Sequence, residues 1–405
     1  MTTTQTRDAQ HERRITTALF AAGLTTFASM YSAQALLPSI SAAFGATPAH
    51  AALAVSLTTG FLALASVPAS ALSSRIGRTK VMIGSAVAAA GIGLLLPLSP
   101  SLGVLLAGRA LQGIALAGVL AVAMVYLGEE IGGAGVGAAM GTYVAGTTVG
   151  GLAGRLIPAF TLNLTSWRWA EAAASVAAAA CTVWFIRGLP PSRGFVARPA
   201  GIRTVLGGLA KQLRHRGLLA LFGLAFVLMG GFVSIYNYLG YRLIGAPFGL
   251  PEALAGLVFV LYLAGTAASA AAGRLADRIG RQQVLAASVG LMAIGLAVTV
   301  PDHLGTVILG VLLYTAGFFG AHTAASTWVS VIAEGNRGAA SSLYLFAYYL
   351  GSALVGGAAG IAYARGGWLG LAGGIGVLLI LAGMLVWALA IHSRGSARHS
   401  GVVGA

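Results

Sequence analysis

Inside long apolar stretches of this chain a few polar side chains stand alone, and their types limit the chemistry open to it. Arg109 and Gln112 lie three residues apart in Arg109-Ala110-Leu111-Gln112-Gly113. That spacing puts a guanidinium and a carboxamide on one helix face. Gln34 and His322 sit in two other apolar stretches. Tyr31, Tyr236, Asn237, Tyr241, Tyr262, Tyr344 and Tyr348 add aromatic faces with polar tips. Such groups bind and orient a small amphipathic molecule. An imidazole can in addition take up a proton near neutral pH. Nothing in the set breaks bonds. The sequence has no metal-ligand cluster, no glycine-rich phosphate loop with a lysine, and no nucleophile with a paired base. A binding or transport protein without metal or cofactor is expected, rather than an enzyme or an ATP-driven pump.

The elements that position these residues are membrane-crossing helices. The 405 residues are 58% hydrophobic and 8% charged, against about 25% charged in soluble domains. Apolar runs of roughly 20 residues recur, each long enough to cross a bilayer as a helix. Twelve spans are expected, at 15–40, 50–72, 80–98, 102–127, 135–160, 166–186, 217–241, 252–272, 282–300, 304–331, 339–363 and 367–391. They form an all-α polytopic membrane protein. An N-terminal tail, 1–14, precedes a first six-helix bundle, 15–186; a linker, 187–216, leads to a second bundle, 217–391, and a tail, 392–405. The linker holds Pro190-Pro191, Pro199 and a basic stretch from Arg203 to Arg216 that fits either a surface helix or a solvated connection. Cys181, the one cysteine, reads as helix filler.

The net charge of +15 has a topological reading. Nineteen of the 24 Lys and Arg, Arg198 and Arg337 among them, fall in the tails, the linker and the loops on one side. The positive-inside rule places that side, with both termini, in the cytoplasm, and nucleic acid is not needed to explain the charge. The other five are Arg109, Arg155, Arg168, Arg242 and Arg365. Arg109 is expected roughly 12 Å below the outer surface, at 1.5 Å per residue, with Gln34 at similar depth as its hydrogen-bond acceptor. Arg155 lies nearer the outer surface, where it can snorkel. The nine acids are Asp8, Glu12, Glu129, Glu130, Glu171, Glu252, Asp277, Asp302 and Glu334. None falls at mid-membrane on the first, fourth, seventh or tenth helix; Glu171 falls inside the outer end of the sixth.

Two internal repeats tie the halves together. Gly273-Arg274-Leu275-Ala276-Asp277-Arg278-Ile279-Gly280-Arg281 is a basic turn between apolar runs, and Ser70-Ala71-Leu72-Ser73-Ser74-Arg75-Ile76-Gly77-Arg78 echoes it 203 residues earlier. Gly77 and Gly280 allow a tight turn after a helix end. The flanking arginines face anionic headgroups or serve topology alone. The glycine-rich stretch Tyr143 to Gly154 on the fifth helix returns as Tyr348 to Gly360 on the eleventh. Gly141, Gly146, Gly150, Gly151 and Gly154 give the fifth helix a small-residue face for close packing.

These motifs resemble the major facilitator superfamily over nearly the whole chain. Gly273, Asp277, Arg278, Gly280 and Arg281 complete its basic turn. In the first copy Ser70 and Ser74 replace the Gly and the Asp, while Arg75, Gly77 and Arg78 remain. Arg109, Gln112 and Gly113 resemble its fourth-helix pattern. Gly141, Gly146, Gly150 and Gly151 resemble its fifth-helix antiporter signature, with Thr147 in place of the Pro. More narrowly, Gln34 to Pro38, Ser56 to Gly60, Ala321-His322 and Ser341 to Phe346 resemble the YnfM-like group, labelled arabinose-efflux-permease-like or drug-efflux. The resemblance implies the twelve-helix major facilitator fold and a secondary active exporter in the cytoplasmic membrane. It implies alternating access, drug or multidrug-type efflux, and proton antiport by a monomer. It also implies a cytoplasmic gate around Asp277 and the two turns, and a fifth helix packed on the eighth, so that bulk at Gly150 blocks closure. Many drug–proton antiporters of the superfamily keep a carboxylate on the first helix. Here Gln34 stands there instead, which leaves His322, Glu171 and Asp277 as proton carriers. An importer or facilitator of a polar solute such as a sugar is the alternative, and a non-transporting receptor the third class.

Overall fold

In a bilayer core a backbone finds no hydrogen-bond partner but protein, so each apolar run closes on itself as a helix. A computed structural model of the chain describes residues 3–131, 135–193, 195, 197, 202–333 and 336–402. Arg198, Pro199 and Glu334, singled out above, lie outside them. The helices are α1 (Thr3–Tyr31), α2 (Leu37–Phe44), α3 (Pro48–Ile76), α4 (Arg78–Leu95), α5 (Leu102–Glu130), α6 (Gly135–Leu162), α7 (Trp167–Gly188), α8 (Ile202–Gln212), α9 (Arg216–Ile244), α10 (Glu252–Gly256), α11 (Tyr262–Ile279), α12 (Arg281–Val298), α13 (Leu304–Ile332) and α14 (Arg337–Val402). No strand occurs among the described residues.

Nine spans among the described residues are long and apolar enough to cross a membrane. The last of them, within α14, turns at Gly366 and Gly367, where the backbone leaves helical geometry, and so counts as two. With α1 and α6, of 29 and 28 residues, the number reaches the expected twelve.

The chain divides into two compact units, Met1–Gly201 with Leu250–Phe259, and Ile202–Gly249 with Val260–Ala405. The first spanning helix of the first unit is broken. α1 stops at Tyr31, a 3₁₀ turn runs from Gln34 to Leu36, and α2 carries the chain on to Gly45. The corresponding helix of the second unit, α9, runs unbroken for 29 residues. The basic stretch after the linker's start is helical, as α8.

The two basic turns share one geometry. Gly77 has φ +112° and ψ 141°, and Gly280 has φ +95° and ψ 149°. Positive φ with extended ψ is essentially reserved for glycine. It lets one residue separate α3 from α4 and α11 from α12. Gly77 N–H donates to the Ser73 carbonyl and Gly280 N–H to the Ala276 carbonyl, at 3.1 and 3.0 Å.

Candidate functional site

The first unit builds its polar centre around the break in its first helix. The last turn of a helix leaves carbonyls without intrahelical donors. Arg109, from α5, supplies them. Its Nη1 donates to the Ser29 carbonyl at 2.9 Å and its Nη2 to the Met30 carbonyl at 2.7 Å. Its Nε donates to the Ala54 carbonyl of α3 at 3.0 Å. A cation at a helix C-terminus is also favoured by the helix dipole. Nη1 further reaches Gln112 Oε1 at 2.7 Å and Ser32 Oγ at 3.1 Å. Gln112 in turn donates to the Ala89 carbonyl of α4. Arg109 is fully buried, so its guanidinium ties α1, α3 and α5 together and presents no exposed surface.

Glu171, from α7, completes this cluster. Ser32 Oγ donates to its Oε1 at 2.8 Å, and Arg109 Nη1 stands 3.8 Å from the same oxygen. The sequence placed Glu171 at the periphery and the neighbourhood of Arg109 free of acids. The structure corrects both, because burial follows from lateral neighbours rather than from distance along the helix.

Gln34 is not the partner of Arg109. The 3₁₀ turn swings it toward α6, where Arg155 Nε donates to its Oε1 at 2.6 Å. Arg155 also donates to the Gly151 carbonyl at 2.6 Å and lies 3.9 Å over the Tyr31 ring. The Phe259 ring is 5.4 Å away on its other contact. Arg155 is therefore buried in this unit rather than snorkelling. Gln34, expected beside Arg109, and Tyr31, expected among the substrate-binding tyrosines, both lie against Arg155.

The small-residue face of α6 meets α1. A Cβ built on Gly150 would come within 2.5 Å of the Leu24 carbonyl oxygen, and one on Gly154 within 2.5 Å of that of Ala28. Gly146 lies in the same way against Phe20, and Gly151 beside Arg155 and Phe27. The glycines expected to face the eighth helix thus let α1 and α6 touch backbone to backbone. Bulk at Gly150 would part those two helices.

At the opposite end of this unit Arg78 forms a two-pronged ion pair with Glu129, at 2.8 and 3.1 Å, and donates to Ser73 Oγ at 2.7 Å. Glu130 accepts from Arg193 N–H at 2.9 Å and from the Ser192 hydroxyl. Ser74 turns its hydroxyl back to the Ala71 carbonyl of its own helix, and Arg75 makes no hydrogen bond or ion pair among the described residues. The second turn has no ion pair among the described residues at Asp277, Arg278 or Arg281.

The second unit is aromatic where the first is charged. Phe232 stacks on Phe318 with centroids 3.8 Å apart, and Tyr236 and Tyr262 pack within 5.4 Å of Phe232. His322 and Tyr348 extend the cluster at 4.9 Å from each other. Tyr344 and His322 Nδ1 share a hydrogen bond of 3.1 Å. Tyr236 and Thr315 share one of 2.7 Å. Asn237 is buried beside Tyr236. A cavity of about 310 Å³ opens against His322 and Tyr344, lined also by Ser326, Thr327, Ser330 and Ser341. Tyr241 stands apart, 6.1 Å from Tyr363. Sequence reasoning overlooked Phe232 and Phe318; their spacing from Tyr236 and His322, four residues each, was the available signal.

Two further arginines clamp loops. Arg168 takes the carbonyls of Pro97 and Ser99, and Arg242 those of Thr299, Val300 and Pro301, with Asp302 at 3.1 Å. Of the five basic residues set apart by topology, four are thus held by protein oxygens.

Twelve spans in two six-helix units, with isolated polar clusters inside them, define a membrane transporter. The family model of the Major Facilitator Superfamily matches residues 19–242 and 221–402, and the chain belongs to that superfamily. It is 41% identical over 383 residues to the inner membrane transport protein YnfM of Escherichia coli (strain K12), covering 94% of this chain and 91% of that protein. It is 38% identical to the uncharacterized MFS-type transporter YybF of Bacillus subtilis (strain 168), covering 91% and 92% of the two chains. Among solved structures it is similar to a bacterial homologue of the human lysosomal transporter Spinster, with a TM-score of 0.78 at 14% identity over 94% of this chain and 97% of that one. At that identity the likeness describes the fold alone.

Proposed function

We propose that this transporter exports small amphipathic molecules across the cytoplasmic membrane by alternating access, as a monomer and in exchange for protons. The observation that carries the reading is the second unit's aromatic cluster. Tyr236, His322, Tyr344 and Tyr348 combine apolar faces with hydrogen-bonding tips around Phe318, and among the described residues no carboxylate, Lys or Arg lines the adjoining cavity. Such a surface suits a neutral or weakly charged ring-bearing compound. The buried cluster around Arg109 serves coupling and holds the first helix in shape, rather than touching substrate. The glycine turns at Gly77 and Gly280, with Arg78, Asp277, Arg278 and Arg281, serve the cytoplasmic gate. Nineteen basic residues on one side support cytoplasmic termini.

A second reading is import of a polar solute. The four hydroxyls of Ser326, Thr327, Ser330 and Ser341 in the cavity favour it, since they can replace water around a polyol. Proteoliposomes with an imposed pH gradient separate the two. Gradient-driven movement of a neutral ring-bearing dye, with no sugar transport, is expected; sugar uptake without dye movement would replace the first reading by the second.

A further inference from the structure

We propose that Glu171 is a proton-binding site of this transporter, exchanging its proton against the fixed charge of Arg109. The inference deepens the antiport reading and rests on it for its consequence in transport. Glu171 is 2% exposed, inside the first unit. Its Oε1 receives one hydrogen bond, from Ser32, and its Oε2 has no partner among the described residues. An ionised carboxylate offers about four lone-pair sites, so one donor leaves it poorly solvated. Arg109 does not make up the difference by hydrogen bonding. Its Nη1 stands 3.8 Å away, beyond the roughly 2.7–2.9 Å of a charge-assisted bond. Its donors are aimed instead at Ser29, Met30, Ala54 and Gln112. Two effects therefore oppose each other at Glu171: burial with few donors disfavours the charge, and the neighbouring guanidinium favours it. Proton uptake converts the carboxylate to a carboxylic acid and takes the buried pair from neutral to +1, with no other bond made or broken.

No other charged group faces Glu171 among the described residues. Of the elements packed on α7, α6 carries Arg155, which turns to Gln34, and Tyr143. α1 carries Tyr31, under Arg155, and, near its other end, Arg7, Asp8, His11, Glu12, Arg13 and Arg14. α4 carries Arg78, paired with Glu129, and the exposed Lys80, both at its far end. On α7 itself Arg168 is held by the Pro97 and Ser99 carbonyls.

The second unit acts as an internal control. Gly118 on α5 lies against Ser85, and Gly320 on α13 against Ser288. That register matches Arg109 with Val311, which is fully buried. Counting from Trp167 and Trp368, Glu171 matches Ala372, also buried. The same six-helix plan is thus built with apolar residues at both positions, and the fold alone does not call for the pair.

Infrared difference spectroscopy on the full chain in lipid vesicles, titrated with pH, reads the proton directly and needs no substrate. The expected result is a carbonyl band of a protonated carboxylic acid that titrates, is lost in Glu171→Gln, and persists in Glu12→Gln. Ser32→Ala removes the donor that stabilises the ionised form and should move the midpoint to higher pH. It carries the test if Glu171→Gln does not fold. Titrating carbonyl bands identical in wild type and Glu171→Gln, or an unmoved midpoint of the Glu171 component in Ser32→Ala, would overturn the proposal. A titrating Glu171 band alongside wild-type dye flux that ignores the pH gradient would support the site and overturn the antiport reading.

Discussion

The two units solve one packing problem with different chemistry. In the first, the opening helix breaks after Tyr31, and the freed carbonyls are collected by Arg109, which brings Glu171 with it. In the second, α9 runs straight through, its backbone needs no such donor, Val311 stands at the position matching Arg109, and the core carries the stacked rings of Phe232 and Phe318. A break in a helix is expensive in a membrane unless side chains re-satisfy the backbone. Where the break was avoided, the unit is free of buried charge at the matching positions and can devote its interior to aromatic surface. The difference leaves a buried charged pair in one half and a stack of aromatic rings in the other.

Making the first unit resemble the second is the largest perturbation. Arg109→Val leaves Glu171 buried without its cation and strips the Ser29 and Met30 carbonyls of their donors. A loss of about 3–5 kcal/mol in stability is expected. Adding Glu171→Ala removes the uncompensated carboxylate, so the double variant should be more stable than the single by about 0.5–3 kcal/mol. Thermal melting of the purified proteins checks both. A double variant no better than Arg109→Val would mean that the two groups are not energetically coupled.

What the halves share is their small-residue contact. Gly146 meets the Phe20 carbonyl and Gly351 the Phe226 carbonyl, each on the opening helix of its own unit. Gly146→Ala and Gly351→Ala should each cost about 1–3 kcal/mol, the usual range for overpacking. Similar losses in melting experiments would support a common skeleton; a loss in only one would break the parallel.

The aromatic half gives a smaller effect. Tyr236→Phe keeps the ring among Phe232 and Tyr262 and deletes the hydroxyl shared with Thr315. The expected cost is about 0.5–1.5 kcal/mol, with Thr315 left to bond its own helix. Dye transport should fall less than in Tyr236→Ala, which also removes the ring.

The spans were legible because apolar runs of helix length admit few other structures, and the basic turns because their glycines and arginines recur in both halves. The fine arrangement was not. Equal depth along straight helices paired Gln34 with Arg109; Pro38, at the start of α2, cannot donate to the carbonyl of Gln34 and was the available signal of the break that turns Gln34 to Arg155. Glu171, fifth in α7, lies only about 6 Å along the helix axis, and axial distance says nothing of the helices alongside. Glycine spacing showed that α6 is approached closely, without naming α1 as the neighbour.

The smallest expected effect concerns the turns. Arg78 is tied to Glu129 and Ser73, whereas the matching residue of Ser73 in the second copy is Ala276, which has no hydroxyl to offer Arg281. The Arg78 and Glu129 side chains are 14% and 32% exposed, so water screens the pair. Glu129→Gln should then lower stability by only about 0.2–1 kcal/mol. The loss should shrink further in high salt, because screening already weakens what the substitution removes. Arg78→Ala should cost somewhat more, since it also deletes the bond to Ser73. Arg281→Ala serves as the comparison: with no ion pair at that residue among the described residues, a loss equal to that of Arg78→Ala would show that the two turns are held alike. A smaller loss would locate the asymmetry of the two halves in the Arg78–Glu129 contact.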